Sequence, residues 1–234
     1  MAFKEFDVAG LGTVTVYKRR GSRSLRLSIQ PDGRLRVTIP TWTPYVAGVS
    51  FAKSRETWIA KHATPSAPPL RTGQTVGKEH RLLFLRSLDS SRVSTRVRRN
   101  EIVISYPVDT DPTEPGVQIA AQKASIRALR AEAASLLPPR LAALAEQHGF
   151  TYGEVSVKPL KTRWGSCDQD GNITLNIFLM QLPWQLIDYV LLHELTHTRI
   201  MRHGPPFWEA MGRVLPNVTA IRKEMREHRS ALKR

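Results

Sequence analysis

Three histidines and a glutamate near the C-terminal end of the chain are spaced for metal-assisted hydrolysis. His193 and His197 are four residues apart, so on a helix both imidazoles leave the same face and can hold one metal ion. Glu194 lies beside the first histidine, and His203 follows His197 by six residues. Three neutral nitrogen ligands leave the fourth tetrahedral position of Zn²⁺ open to water, whose pKa the metal lowers to about 7. The spacing therefore predicts a zinc site with Glu194 as the general base that takes a proton from the zinc-bound water.

The third ligand depends on how the chain turns after the helix. If the helix ends near Met201 or Arg202, the chain can bring His203 back toward the metal, and Gly204 with two following prolines favours such a turn. We predict His203 as the third ligand. The rival ligands are carboxylates on later helices: Glu209, Glu224 and Glu227.

The helix that carries the motif is predicted to be buried. Pro183 suits its first turn, and apolar residues follow almost all round it. These residues are Leu186, Ile187, Val190, Leu191, Leu192 and Leu195. Burying two histidines and a glutamate in such a helix without a common partner is costly, and a metal ion supplies that partner.

The other elements of the C-terminal half follow from periodicity and breakers. Residues 155–163 and 173–177 are predicted strands of a hairpin, with a turn at 168–171. Residues 117–137 and 141–148 have helical spacing, and Pro138-Pro139 between them predicts two helices or one sharply broken helix. Two more helices are predicted at 207–215 and 218–232.

The N-terminal half is predicted to be rich in strands. Alternating residues at 13–17, 25–29 and 35–39 predict antiparallel strands, with a tight turn at Asp32-Gly33 and a helix over 45–62. Further short strands are expected at 74–76, 81–85, 93–97 and 102–106. No internal sequence repeat is evident. An acidic, proline-containing connector at 109–116 predicts the boundary between a β-rich domain, 1–112, and a second domain, 113–234.

The composition indicates a basic protein. Lys and Arg number 35 against 20 Asp and Glu, a net charge of +15 that attracts nucleic acid or acidic protein, or merely forms a solvated surface. A single cysteine, Cys167, excludes an intramolecular disulfide and fits a reducing compartment. The N-terminus has no apolar signal segment, and no apolar run approaches eighteen residues. We therefore expect a cytoplasmic protein with no membrane partner.

Several motifs resemble one known family. They are Arg163-Trp164-Gly165-Ser166-Cys167, Gly171-Asn172-Ile173-Thr174-Leu175-Asn176, the segment 183–197, and Phe207-Trp208 after His203. The sequence resembles the YgjP-like metal-dependent hydrolases, relatives of the WLM and SprT-type zinc peptidases. The resemblance covers residues 120–230 and extends to Lys18-Arg19-Arg20, Ile39-Pro40 and Trp58-Ile59 in the first half. One departure is Gly204-Pro205-Pro206, where the family is expected to have a serine and no double proline.

The resemblance implies an α+β fold. A β-rich N-terminal region would precede a small gluzincin-like metallopeptidase domain, with the HExxH helix buried. It implies zinc on His193, His197 and His203, catalysis by Glu194, and a strand at Trp164 beside the cleft. Arg163, Trp164 and Asn176 are then the candidate substrate-binding residues.

The working hypothesis is a zinc-dependent peptidase that cleaves protein or peptide substrates extended along the 163–176 hairpin. Two alternatives come from other classes of protein. One is a DNA-associated protease or adaptor that uses the basic surface, and the other is a non-catalytic zinc-binding module. Cys167 is interpreted as a structural residue, with a metal-blocking thiolate as the alternative.

Overall fold

The computed structural model describes residues 3–30, 34–62, 68–88 and 91–228. The chain forms two compact units, Met1–Pro68 and Pro69–Arg234. Within the described residues there are three β-sheets and six α-helices, which confirms the predicted α+β class. None of the described helices is both long and apolar enough to cross a membrane.

The first unit is a four-stranded sheet followed by two helices. Its elements are β1 (Phe3–Val8), β2 (Gly12–Arg19), β3 (Arg26–Ile29), β4 (Leu35–Pro40), α1 (Tyr45–Lys53) and α2 (Glu56–His62). The strand order is β1-β2-β4-β3. The antiparallel pairing of β3 with β4 confirms the predicted hairpin of 25–29 with 35–39, and β1 with β2 is also antiparallel. The strand predicted at 13–17 lies in β2, which pairs with β4 in parallel. The predicted turn at Asp32-Gly33 lies outside the described residues.

The core of the first unit lies between the central strands and α1. Val16 and Ile39 are fully buried there. A Cβ on Gly48 of α1 would come within 2.6 Å of Val16 Cγ1, so only glycine allows this close approach. The predicted helix over 45–62 is two helices, because Ser54 ends α1 and its hydroxyl donates to the carbonyl of Phe51 at 2.9 Å.

The second unit begins with another four-stranded sheet. Its strands are β5 (Thr75–Val76), β6 (His80–Ser87), β7 (Ser94–Arg98) and β8 (Glu101–Pro107). The order is β5-β6-β8-β7, with β6 and β8 parallel and both outer pairs antiparallel. The two sheets therefore share one topology, a structural repeat that the sequence did not reveal.

One long helix, α3 (Pro115–His148), packs on this sheet. Ile102 and Ile104 of β8 share a core with Ala121 and Ala124 of the helix. The carboxylate of Glu132, also buried on α3, accepts hydrogen bonds from the backbone N–H groups of residues 78 and 79 at 2.8 and 3.1 Å and lies against the His80 imidazole. The predicted boundary at 109–116 therefore falls inside the second unit, because the sheet before it and the helix after it bury a common surface.

The helix also runs without interruption through Pro138 and Pro139, where a break was predicted. Each proline removes one backbone donor. Leu137 and Leu141 on either side are fully buried, however, so the packing of this turn on the core outweighs the lost hydrogen bonds.

The rest of the second unit surrounds one buried helix. A third sheet in the order β10-β11-β9 contains β9 (Val155–Lys158), β10 (Gly165–Cys167) and β11 (Ile173–Asn176). The strand predicted over 155–163 ends at Lys158 and pairs with β11 in parallel, so the predicted hairpin of these two strands was wrong. The antiparallel partner of β11 is β10. A short 3₁₀ helix (Ile177–Gln181) leads to α4 (Trp184–His197), and α5 (Pro205–Val214) and α6 (Val218–His228) follow.

Candidate metal centre

Helix α4 and the turn after it bring three imidazoles together. His193 and His197 lie one turn apart at the C-terminal end of α4. The helix ends at His197, earlier than predicted, and the chain turns through Thr198 and returns His203 to the same place. The Nε2 atoms of the three histidines lie 2.9, 3.0 and 3.2 Å apart.

The protonation of the imidazole rings indicates what the three converging Nε2 atoms can bind. His197 Nδ1 lies 3.1 Å from the carbonyl oxygen of Ile200, so Nδ1 carries the proton and Nε2 presents a lone pair. Among the described residues, His193 Nδ1 is buried and has no hydrogen-bond partner. Three Nε2 atoms aimed at one point cannot all satisfy one another by hydrogen bonds, whereas a cation between them accepts all three lone pairs. The side chains therefore fit a divalent metal ion.

Burial keeps the histidines in the form that binds metal. Desolvation, together with the charges of His197 and His203, lowers the pKa of His193 to about 3. Desolvation also lowers the pKa of His197, although its hydrogen bond to Ile200 opposes the shift. Both rings are therefore neutral at pH 7, as metal ligands must be.

Glu194 is buried under β10. Its side chain is 5 % exposed, and burial raises the pKa of its carboxyl to about 8, partly opposed by the charge of Arg163. The backbone of Gly165 lies directly on the carboxyl, because a Cβ there would come within 2.7 Å of Oε1 and 2.8 Å of Cγ. Strand β10 thus fixes the direction of the glutamate toward the cavity.

Aromatic residues of α5 hold the third histidine. Phe207 is fully buried, and its ring centroid lies 4.6 Å from that of His197 and 4.9 Å from those of His193 and His203. Trp208 stacks on His203 at 5.9 Å with an interplanar angle of 22°. The segment that begins with Gly204 and two prolines therefore positions His203 through these two rings.

The histidines and Glu194 open onto a cavity of about 730 Å³. The segment 162–167, helices α4 and α6, and the turn before α5 line it. Arg163 and Trp164, two predicted substrate-binding residues, are among the lining residues.

Asn176, the third predicted substrate contact, does not line the cavity. It is fully buried, and its amide nitrogen donates to the carbonyls of Leu160 and Arg163 at 2.9 and 2.8 Å. Its amide oxygen accepts from the N–H groups of Leu160 and Phe178 at 3.3 and 3.2 Å. The expectation is corrected on geometric grounds: Asn176 positions the segment that leads to Arg163.

Two of the three rival carboxylates, Glu209 and Glu224, are not part of the histidine cluster. Glu209 forms an exposed ion pair with Arg213 at 2.6 Å, and Glu224 is exposed on α6. The side chain of Glu227 lies outside the described part of the chain. Within that part, the only group of candidate ligands that converges contains His193, His197 and His203.

Cys167 lines the cavity as a neutral thiol. Burial, together with the charges of Glu194 and Asp168, raises its pKa to about 11. Its Sγ donates to the carbonyl of Asp168 at 3.4 Å. The ionised thiolate considered as an alternative is therefore disfavoured at neutral pH.

Sequence reasoning missed several cavity residues, four of which are important below. They are Tyr189, Arg222, Met225 and Arg226. Tyr189 lies four residues before His193, so helical spacing alone could have placed it on the metal face. The other three belong to α6, and only the tertiary fold brings that helix to the cavity.

Comparison with known families assigns the chain to a class of proteins, the metallopeptidases. Residues 23–228 match the family described as "YgjP-like, metallopeptidase domain". Because the match spans most of the chain, the protein belongs to the YgjP-like metallopeptidase family. It confirms the resemblance read from the sequence and supports a metal-dependent peptidase.

Other comparisons add little. No curated protein matches the chain significantly. A solved structure, "Crystal structure of the metallopeptidase zymogen of Pyrococcus abyssi abylysin", is 24% identical over 38% of this chain and 91% of that chain, with a TM-score of 0.36. A likeness at this level carries no argument about the present chain.

Proposed function

We propose that this protein is a zinc-dependent peptidase in which His193, His197 and His203 hold the metal and Glu194 is the general base. The observation that carries the proposal is the convergence of three Nε2 atoms within 3.2 Å of one another, beside a buried carboxyl in the same cavity. Three imidazole nitrogens with an open fourth position support Zn²⁺ as the ion. When bound, zinc supplies a Lewis acid that polarises the scissile carbonyl and acidifies water.

Glu194 provides the proton transfers. Its elevated pKa places the carboxyl near the pH of the cell, where it can both accept and return a proton. Its carboxylate oxygen takes the proton of the attacking water and then delivers it to the leaving nitrogen. The positive charge of Arg163 partly opposes the rise that burial causes in the pKa of Glu194. It therefore favours the ionised carboxylate, which is the form that accepts a proton.

Strand β10 is the proposed docking site for the substrate backbone. It is the edge strand of its sheet and pairs with β11 alone within the described residues. Because Gly165, Ser166 and Cys167 also line the cavity, a peptide paired with this edge would run past Glu194. Main-chain pairing accepts many sequences, which suits a protein or peptide substrate.

The alternatives lack comparable support. The comparisons give no support for nucleic acid as a partner, so we propose no second function for the basic surface. A non-catalytic zinc module would not need a buried carboxyl at the metal. The single cysteine supports a reducing compartment, and we retain the cytoplasm as the proposed location.

The test compares the zinc-loaded wild type with Glu194→Gln on a mixed peptide library, with products read by mass spectrometry. We expect the variant to keep its zinc and its thermal stability while losing cleavage by a factor of about 100 to 10,000, the usual range for a general base. Equal cleavage by both proteins would overturn the role of Glu194. A wild type that binds zinc and cuts nothing would support the non-catalytic alternative.

A further inference from the structure

The cavity beside the histidines carries an excess of positive charge. Three arginines line it, Arg163 from the segment before β10 and Arg222 and Arg226 from α6, whereas Glu194 is the only acidic residue among the described lining residues. Within the described ranges, none of these guanidinium groups forms an ion pair with a carboxylate. Arg163, Arg222 and Arg226 are exposed, so their donors are open to solvent and available to an anionic ligand.

Two of these arginines form a pair on one helix face. Arg222 and Arg226 are four residues apart on α6, so both side chains leave the same side of the helix. Met225 between them is buried and also lines the cavity. Lys223, on the same helix, does not line it, so the positive charge in the cavity is specific to one face of α6.

Stacking fixes the position of Arg222 relative to the metal centre. Its guanidinium carbon lies 3.9 Å from the centroid of the Trp208 ring, and Trp208 in turn stacks on His203. A stacked guanidinium keeps its in-plane N–H groups free for an acceptor. Arg222 is thus held one ring away from a proposed metal ligand, with its donors available.

Tyr189 adds a neutral donor next to this pair. It is buried on α4 one turn before His193, and its ring centroid lies 5.9 Å from that of the histidine. Tyr189, Arg222 and Arg226 line the same cavity, and burial raises the pKa of the Tyr189 hydroxyl. At neutral pH the hydroxyl keeps its proton and can donate a hydrogen bond.

We propose that Arg222 and Arg226, together with the Tyr189 hydroxyl, form a subsite for a carboxylate of the peptide substrate close to the scissile bond. Guanidinium groups bind carboxylates through paired, charge-assisted hydrogen bonds. The planar pair of N–H donors matches the two oxygens of a carboxylate. The carboxylate comes either from an Asp or Glu side chain or from the C-terminus of the substrate. This inference rests on the proposed peptidase function and assigns its substrate preference.

Binding is measured with Glu194→Gln, which should not turn the ligands over. Three N-acetylated, alanine-rich pentapeptides are titrated calorimetrically: one amidated with a central Glu, one amidated with a central Gln, and one with a central Gln and a free C-terminus. We expect the first or the third to bind at least tenfold more tightly than the amidated Gln peptide, in line with charge-assisted hydrogen bonds. Preference for the first assigns the subsite to an acidic side chain, and preference for the third assigns it to the chain terminus.

Matched variants locate the effect. In the Glu194→Gln protein, a second substitution, Arg222→Gln or Arg226→Gln, should abolish the tenfold difference in affinity between the peptides. Lys223→Gln in the same protein removes the same charge from the same helix and should preserve the difference. Equal binding of all three peptides, or an equal loss in the Lys223 variant, would overturn the subsite. Tighter binding of a single-stranded oligonucleotide through the same two arginines would also overturn it, in favour of phosphate.

Cleavage separates this inference from the function on which it rests. If the zinc-loaded wild type cuts the peptide library but the binding difference is absent, the peptidase stands and the subsite fails. If the binding difference is present and nothing is cut, the subsite stands and the peptidase function fails.

Discussion

Gly165 and Glu194 are in direct contact: the backbone of the first covers the carboxyl of the second so closely that a Cβ at position 165 would come within 2.7 Å of Oε1. The contact joins the edge strand proposed to bind substrate to the helix that carries the histidines. It places one backbone next to the proposed general base, and it requires a residue without a side chain at that point.

Gly165→Ala should therefore impair catalysis more than stability. The added methyl group also meets Cγ of Glu194 at 2.8 Å, so the carboxyl or the strand must move. Displacement of a catalytic group by about 1 Å can cost about 100-fold in rate, whereas overpacking costs roughly 1 to 3 kcal/mol of stability. The comparison is kcat/KM and thermal unfolding at equal zinc content.

Gly212→Ala is the matched control. Gly212 lies in α5, and a Cβ added to it would meet nothing within 4 Å, so alanine should leave activity unchanged and stabilise the helix by about 0.5 to 1 kcal/mol. Wild-type activity in Gly165→Ala would show that the contact does not control the direction of Glu194.

The buried carboxyl should also give the metal-free protein an unusual pH dependence. The pKa of Glu194 is raised from 4.5 to about 8 in the folded chain, so between these values the unfolded chain is ionised while the folded chain keeps the proton. Stability is then lost as pH rises, by up to about 1.4 kcal/mol per pH unit from this group.

The window from pH 6.5 to 8 isolates this effect. His193, whose pKa falls from 6.5 to about 3, acts in the opposite direction and only below pH 6.5, where the unfolded chain binds the extra proton. Denaturant unfolding of chelator-treated protein should show the slope in the wild type and not in Glu194→Gln. Parallel curves for the two proteins would contradict the raised pKa.

Asn176 is predicted to support activity without touching substrate. Asn176→Ala leaves the carbonyls of Leu160 and Arg163 without their buried donor, and Asn176→Asp places a carboxylate against both. Each unsatisfied buried group costs about 1 to 3 kcal/mol, so both variants should unfold more easily. They should also cut peptides more slowly because Arg163 and Trp164 lose their support.

The proposed metal ligands lie on other elements, so zinc content should stay at the wild-type level in both Asn176 variants. Elemental analysis beside the activity assay checks this. Loss of zinc in step with activity would mean that Asn176 acts through the metal centre and not through the segment before β10.

The local parts of this architecture could be predicted from the sequence because they depend on short-range periodicity. The spacing of His193 and His197 placed two rings on one helix face, and period-two alternation located most strands. The pairing of the strands could not be predicted in this way. Alternation identifies a strand but contains no information about its neighbour, so the parallel pairing of β2 with β4 and the repeated sheet topology were not predicted.

The remaining errors come from long-range burial. A double proline breaks an isolated helix, but the core contacts of Leu137 and Leu141 hold α3 together. An acidic connector signals a boundary only if the elements beside it bury separate cores. The contact of Gly165 with Glu194 and the arrival of Arg222 at the cavity join segments distant in sequence, and no local pattern indicates them.

The most direct test of the central claim is the zinc content of three proteins purified without added metal: wild type, His203→Ala and the control His148→Ala, which removes a histidine at the end of α3. We predict one zinc ion per chain in the wild type and in the control, and loss or strong weakening of zinc binding in His203→Ala. Full zinc in His203→Ala, or none in the wild type, would contradict the three-histidine metal centre.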